Sequence, residues 1–103
     1  MIKVSVLYPS GDGKTFDDDY YRDRHMPMVQ QMVGHKLKDY SIDRGIGGGG
    51  ADAPPPFLAA GHLLFESMED YETGFGPHTK AIMADVANYT NIRPTLQISE
   101  MVR

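Results

Sequence analysis

Residues 2–34 of the chain read IKVSVLYPSGDGKTFDDDYYRDRHMPMVQQMVG, and a change of hydrophobic period inside this stretch decides the fold. At its start, apolar side chains recur with period two, which predicts a β-strand: Ile2, Val4, Val6 and Tyr8. From residue 16 the inner-face side chains recur at helical spacing: Tyr21, His25, Met28 and Met32. The stretch therefore predicts a strand, a turn at residues 9–13 and a helix.

The beginning of this helix is indicated by several local signals. Asp17 is a suitable N-cap, and Phe16 and Tyr21 then take the two positions of a hydrophobic staple. The acidic run at 17–19 fits the positive end of the helix dipole better than it fits a metal site. Pro27 removes a backbone donor inside the helix, so we expect the helix to kink or restart there, with His25 at the bend.

The remaining elements follow in an order that is typical of one fold. They are an extended stretch over about His35–Ile46, a flexible connection over Gly47–Pro56, an apolar strand over 57–66, a helix from Ser67 that breaks near Gly74–Pro77, and a final strand over Asn91–Val102. The order is βαββαβ, which predicts an α+β, ferredoxin-like protomer with a four-stranded antiparallel sheet and two helices on one face. Because the strands carry apolar residues on both faces, we expect a second copy to cover the other face, giving a homodimer.

Composition limits the classes of function. The 103 residues predict a single domain over 1–103, and the absence of cysteine excludes thiolate zinc sites, iron–sulfur clusters and a cysteine nucleophile. A net charge of −4 without a basic stripe argues against nucleic-acid binding. Neither a signal peptide nor a membrane-spanning apolar run is evident, so a cytoplasmic protein without a membrane partner is expected.

Several short motifs carry a family resemblance. They are FD at 16–17, YY at 20–21 with HMPMV at 25–29, GHL at 61–63, Asp85 with NYT at 88–90, and PTLQISE at 94–100. Together they resemble the EthD family of the dimeric α+β barrel superfamily, which is named after a protein encoded beside an ether-degrading cytochrome P450 system. The resemblance implies two protomers whose sheets form a barrel, and a pocket in each protomer between sheet and helices. Superfamily relatives include cofactor-free cyclases and isomerases as well as haem-degrading monooxygenases, so fold alone does not choose the chemistry.

Three residues are the candidates for catalysis. His25 lies on the inner helix face, where an imidazole in an apolar pocket can accept or deliver a proton, and Tyr21 can hydrogen-bond a substrate oxygen. His78 lies on the inward stripe of the second helix and would face His25 across the pocket. The alternatives are that His25 only satisfies the broken helix backbone at Pro27 and that His78 is a half-exposed residue at a helix start.

Five further residues are the candidates for ligand binding: Tyr8, Met28, His62, Phe75 and Ile82. His62 faces either the pocket or the dimer barrel, and a structural or interface role is the favoured interpretation. Asp85 and the following Asn88–Thr90 are interpreted as a structural clasp where the second helix turns into the last strand.

These observations favour a protein that binds a small, largely apolar organic molecule in catabolic or secondary metabolism. If it is an enzyme, His acid/base chemistry without a cofactor is the expected mechanism, of isomerase, cyclase or lyase type. One alternative is a non-catalytic accessory protein of an oxidising system. Another is a haem-using oxygenase, since one inward His suffices as the axial ligand. No metal site is expected, because the four histidines lack a paired ligand signature.

Overall fold

The computed structural model describes residues 1–103 and contains one four-stranded sheet with the strand order β2-β3-β1-β4. Its strands are β1 Ile2–Pro9, β2 Asp39–Arg44, β3 Phe57–Phe65 and β4 Thr95–Glu100, and every neighbouring pair is antiparallel. Two helical segments connect β1 to β2 and β3 to β4, and both pack on one face. The predicted α+β, ferredoxin-like protomer is confirmed.

The first helical segment begins as the sequence predicts. It consists of α1 Asp18–Tyr20, a π-turn over Tyr21–His25, α2 Met26–Val33 and a 3-10 turn over Gly34–Lys36. The Asp17 carboxylate accepts a hydrogen bond from the Tyr20 backbone N–H at 3.1 Å, and the Phe16 and Tyr21 rings lie 5.1 Å apart. The N-cap and the staple are therefore confirmed. The next strand starts later than predicted, at Asp39, because the chain makes a 3-10 turn after Gly34.

A widened helical turn precedes Pro27, and the α-helix restarts there. The Met26 backbone N–H donates to the Tyr21 carbonyl five residues back, and Pro27 follows within the first turn of α2, where its missing N–H costs little. A π-turn of this kind inserts one residue into a continuous helix and is frequent at functional sites. It leaves His25 at the end of the turn, almost fully buried.

The second helical segment is interrupted as predicted. It consists of α3 Met68–Gly74, a 3-10 turn over Gly76–His78, α4 Thr79–Ala84 and a 3-10 turn over Asp85–Asn88. The Ser67 hydroxyl caps it by accepting from the Asp70 backbone N–H at 3.1 Å. Gly74 lies against Val33 and Lys36 of the first segment, where a β-carbon would have little room. The two segments therefore approach each other closely at this glycine.

The two faces of the sheet differ in composition. Val4, Tyr8 and Leu63 point to the helices and are buried in the core. The opposite face is covered by no element of the chain, and its centre is polar, with Ser5 directly opposite His62 across β1 and β3. The expectation of apolar residues on both faces thus holds only in part, because on the open face leucines flank polar side chains. No helix has the length and apolar character required to span a membrane.

Candidate functional site

A small cavity lies between the sheet and both helical segments. Of the 13 residues that line it, 11 are hydrophobic. Its internal volume is about 20 Å³, which is room for about one water molecule. Met83 of α4 and Leu96 of β4 belong to its lining and are themselves partly exposed, so the cavity reaches the surface between α4 and the edge strand.

His25 is the most basic group in the cavity wall, and Asp85 fixes its orientation. The His25 Nδ1 atom lies 2.9 Å from Asp85 Oδ2. An ionised carboxylate only accepts hydrogen bonds, so Nδ1 carries the proton and Nε2 carries the lone pair. Nε2 lies 3.4 Å from the Tyr89 hydroxyl, a long contact for a hydrogen bond.

Three tyrosines form a cluster beside the imidazole. The Tyr89 and Tyr8 hydroxyls share a short hydrogen bond of 2.6 Å. The Tyr21 ring stacks on the His25 ring with 5.4 Å between the ring centroids, and the Tyr21 hydroxyl lies close to that of Tyr8. Tyr21 can take this position because residue 61 is glycine, since a β-carbon there would overlap the Tyr21 hydroxyl.

Asp85 is held by partners other than the histidine. Its Oδ1 atom accepts hydrogen bonds from the Tyr20 hydroxyl at 2.8 Å and from the Asn88 amide at 2.9 Å. The interpretation of this element as a structural clasp was therefore incomplete, because the same carboxylate also binds the imidazole. The bonds from Tyr20 and Asn88 hold the Asp85 carboxylate in place, and its bond to Nδ1 fixes the His25 tautomer.

The environment sets the protonation states. Burial lowers the pKa of His25 below its usual range, although the hydrogen bond and charge of Asp85 oppose this. Partial burial acts to raise the pKa of Asp85, but hydrogen bonds from His25, Asn88 and Tyr20 outweigh it and lower that pKa. Burial raises the pKa values of Tyr8, Tyr21 and Tyr89. At neutral pH the site therefore holds an ionised Asp85, a neutral His25 and protonated tyrosines.

The structure brings five of the eight predicted site residues together. Those that line the cavity are Tyr8, Tyr21, His25, Phe75 and Ile82. The other three do not line it. Met28 is partly buried against the core but does not reach the cavity, because the extra residue of the π-turn brings Met26 and Val29 to its wall instead.

The two other candidate histidines lie in other parts of the molecule. His78 is half-buried in the 3-10 turn between α3 and α4 and does not line the cavity wall with His25. His62 points from β3 to the open face of the sheet, where it contacts Ser5 and Asp43. Of the two positions that the sequence left open for His62, the structure selects the open face.

Sequence reasoning missed Asp85 and Tyr89 as members of the site. Their spacing of four places both at one end of the second helical segment. Their partner His25 is 60 residues earlier. Only the packing of the two helical segments side by side on the sheet brings them together.

The sequence profile of the EthD domain matches residues 13–92. The chain belongs to the EthD family. An EthD-like protein from Ralstonia eutropha JMP134 has 43% sequence identity, and its crystal structure superimposes with a TM-score of 0.93, covering 99% of this chain and 92% of that chain. An uncharacterised 11.0 kDa protein of the thcB-thcC intergenic region of Rhodococcus erythropolis is 29% identical over 88% of this chain and 85% of that protein.

A more distant structural match supports only the fold of this EthD protein. It is a dimeric ferredoxin-like protein of unknown function from Thermobifida fusca YX, with 13% identity, a TM-score of 0.56 and coverage of 97% and 90% of the two chains. This similarity agrees with the four-stranded sheet and the two helical segments described above.

The cavity is a poor fit for haem, the alternative that the family resemblance left open. A porphyrin would require a much larger expansion of the cavity, whose internal volume is about 20 Å³, than a small organic molecule would. The His25 nitrogen that carries the lone pair also faces the Tyr89 hydroxyl at 3.4 Å. No group of three His, Cys, Asp or Glu side chains lies close enough together to hold a metal ion.

Proposed function

We propose that this EthD protein binds a small, largely apolar organic molecule in the cavity and moves a proton on it with His25, without a cofactor. The observation that carries the proposal is the His25–Asp85 hydrogen bond of 2.9 Å, which leaves the Nε2 lone pair as a base beside a mostly hydrophobic cavity. A histidine kept neutral in this way is suited to general base catalysis near neutral pH.

The ligand would be recognised by an oxygen at its polar end. Tyr21 donates a hydrogen bond to a carbonyl or phenolic oxygen, while the aliphatic and aromatic walls contact the remainder. Nε2 removes a proton from the carbon or oxygen beside that group, and the negative charge formed on the ligand oxygen is stabilised by the tyrosine. Asp85 stabilises the imidazolium, which returns the proton to another atom of the ligand. The net reaction is an isomerisation or an enolisation-driven ring closure.

A ligand enters only if the cavity expands from its volume of about 20 Å³. Met83 and Leu96 at its surface end are 39% and 42% exposed, so they have room to move. Methionine in particular adapts to irregular ligands at small cost. Entry between α4 and β4 is therefore part of the proposal.

A non-catalytic binding or accessory protein is the second candidate. The contact between Tyr89 and His25 Nε2 favours it, because both imidazole nitrogens then have protein partners. In that case the ligand keeps its chemical identity, and His25 serves to fix the tyrosines around it.

Ligand screening by native mass spectrometry, followed by turnover assays on the hits, tests the proposal. We expect His25→Gln to reduce turnover by about 10²- to 10⁴-fold while ligand affinity and the melting temperature change little. His78→Ala is the matched control, since this histidine lies outside the cavity. Bound ligands that wild-type protein never converts favour the accessory protein. Turnover that survives His25→Gln rules out the catalytic role.

The proposal also includes a homodimer formed through the open sheet face. The chain leaves this face uncovered, a structural relative is named as dimeric, and small domains often need association for stability. Light scattering across a dilution series is expected to give twice the mass of 11.5 kDa. A monomer at micromolar concentration contradicts this part of the proposal and leaves the cavity chemistry intact.

A further inference from the structure

Two buried tyrosines connect the cavity wall to the His25 imidazole by hydrogen bonds. The Tyr8 hydroxyl lies 2.6 Å from that of Tyr89, and the Tyr89 hydroxyl lies 3.4 Å from His25 Nε2. Tyr8 lines the cavity, whereas Tyr89 does not. These two residues, the tyrosine pair, are 1% and 4% exposed, so bulk water does not compete for their contacts. Tyr89 therefore lies between the lone pair of His25 and a residue of the cavity wall.

The direction of these hydrogen bonds follows from the fact that each hydroxyl has one proton. Asp85 holds the imidazole proton on Nδ1, so His25 Nε2 accepts a hydrogen bond and the Tyr89 hydroxyl donates it. The proton of Tyr89 is then used, so the Tyr8 hydroxyl is the donor in the 2.6 Å contact. Tyr8 consequently presents an oxygen lone pair to its next neighbour. The Tyr21 hydroxyl, which lies close to it, can donate to that lone pair.

The tyrosine pair can carry a proton without becoming charged. Burial raises the pKa values of Tyr8 and Tyr89, so neither forms a stable phenolate at neutral pH. If each oxygen accepts a proton as it gives up its own, both residues stay neutral throughout the transfer. The positive charge then forms on His25, where Asp85 stabilises the imidazolium.

We propose that Tyr8 is the catalytic residue that takes the proton from the ligand, and that Tyr89 passes a proton on to His25. This inference rests on the proposed function and specifies the path by which the proton reaches Nε2. The C–H bond of the ligand breaks as its proton bonds to the Tyr8 oxygen. The Tyr8 proton moves to Tyr89 at the same time, and the Tyr89 proton moves to Nε2.

The electron pair of the broken bond stays on the ligand, which becomes an enolate. The reverse movement returns a proton to another atom of the enolate, so no other reactant is consumed. Under this proposal, the contact that closes Nε2 to a ligand is part of the proton path, and Tyr89 is a positioning residue.

The closeness of the Tyr8 and Tyr21 hydroxyls defines the class of ligand. A carbonyl compound that enters accepts the Tyr21 proton and leaves the Tyr8 lone pair free. Two neighbouring hydroxyls can contact one carbonyl group, with Tyr21 at the oxygen and Tyr8 at a hydrogen of the adjacent carbon. The ligand is therefore a small, largely apolar ketone or aldehyde with a hydrogen on the carbon next to the carbonyl group.

NMR of the ligand-free protein tests the direction of the hydrogen bonds. We expect slowly exchanging hydroxyl protons for both residues of the tyrosine pair, with that of Tyr8 far downfield because its bond is short. Tyr89→Phe should shift the nitrogen-15 resonance of His25 Nε2 toward that of a nitrogen without a donor partner. Tyr71→Phe is the matched control, since Tyr71 packs against the core without lining the cavity. An unchanged Nε2 resonance in folded Tyr89→Phe overturns the proposal.

Proton transfer is measured as exchange of the hydrogens beside the carbonyl group of 2-indanone for deuterium in D₂O, followed by proton NMR. We expect Tyr8→Phe and Tyr89→Phe each to lower the exchange rate by about 10²-fold or more. The double variant should lose little more than either single variant, because residues of one path act as a unit. Tyr89→Phe should leave the KM for 2-indanone unchanged, and Tyr71→Phe should exchange like wild type.

The outcomes distinguish failure of this path from failure of the proposed function, with thermal melting showing whether each variant is folded. Exchange that survives Tyr89→Phe and is lost in His25→Gln overturns the path and leaves His25 as a direct base. Exchange that survives His25→Gln overturns the proposed function. No exchange above the background rate with wild-type protein overturns the assignment of Tyr8 as a catalytic residue.

Discussion

The two faces of the sheet each carry a hydrogen-bonded aspartate–histidine pair, but in different surroundings. In the cavity, the side chains of His25 and Asp85 are 4% and 15% exposed, whereas those of His62 and Asp43 on the open face are 22% and 65% exposed. Burial lowers the pKa of His25, and its partner is fixed by two further hydrogen bonds. We therefore expect Asp85 to contribute more than Asp43, because its pair is more buried and more fully hydrogen-bonded.

Replacing the aspartates gives the largest expected difference. Asp85→Asn removes the charge that holds the proton on His25 Nδ1, so we expect proton transfer in the cavity to fall by about 10²- to 10⁴-fold. Asp43→Asn should leave this reaction unchanged. The measurement is turnover of the ligand identified by screening, in both variants. Equal losses in the two variants would contradict the separation of the two pairs.

Gly61 tests the packing that the cavity requires. A β-carbon at this position overlaps the Tyr21 hydroxyl, so Gly61→Ala should destabilise the fold by about 1–3 kcal/mol and displace Tyr21. Gly76→Ala is the control, because no atom lies within 4 Å of its β-carbon position. Urea unfolding of both variants measures the difference. If Gly61→Ala is as stable as its control, Tyr21 does not occupy this position.

The same aspartates are expected to differ in their effect on stability. Asp85→Asn weakens a buried hydrogen-bond network, which costs about 1–3 kcal/mol. Asp43→Asn should change the free energy of unfolding by less than about 0.5 kcal/mol, because exposed ion pairs contribute little. Chemical denaturation of wild type and both variants gives these values. A larger loss in Asp43→Asn would reverse the comparison.

The pH dependence of stability tests the burial of His25, and its expected effect is the smallest. Because the pKa of folded His25 is below the unfolded value, the unfolded chain takes up this proton first as pH falls. Stability should therefore decrease as pH drops below about 6.5, until the folded pKa is passed. His25→Gln should reduce this decrease, and an unchanged pH dependence in this variant would contradict the role of His25. Melting temperatures between pH 7.5 and 5 provide the measurement.

The fold and part of the site follow from the sequence because they depend on local patterns. These patterns are the period-two strands, the Asp17 cap and the Tyr21–His25 spacing. Each involves residues that are close together in the sequence. Met28 packs against the core but does not line the cavity, because the change of period at a π-turn is not encoded by residue type. Asp85 and Tyr89 join the site only through contacts with a segment about 60 residues away, for which one sequence carries no periodic signal.

The protonation of His25 tests the central claim most directly. Nitrogen-15 NMR of the imidazole distinguishes a protonated nitrogen from one with a lone pair. We predict that at neutral pH His25 is neutral with its proton on Nδ1, that it titrates below the usual range of histidine, and that Asp85→Asn changes the tautomer. A proton on Nε2, or titration like that of a free histidine, would contradict the account.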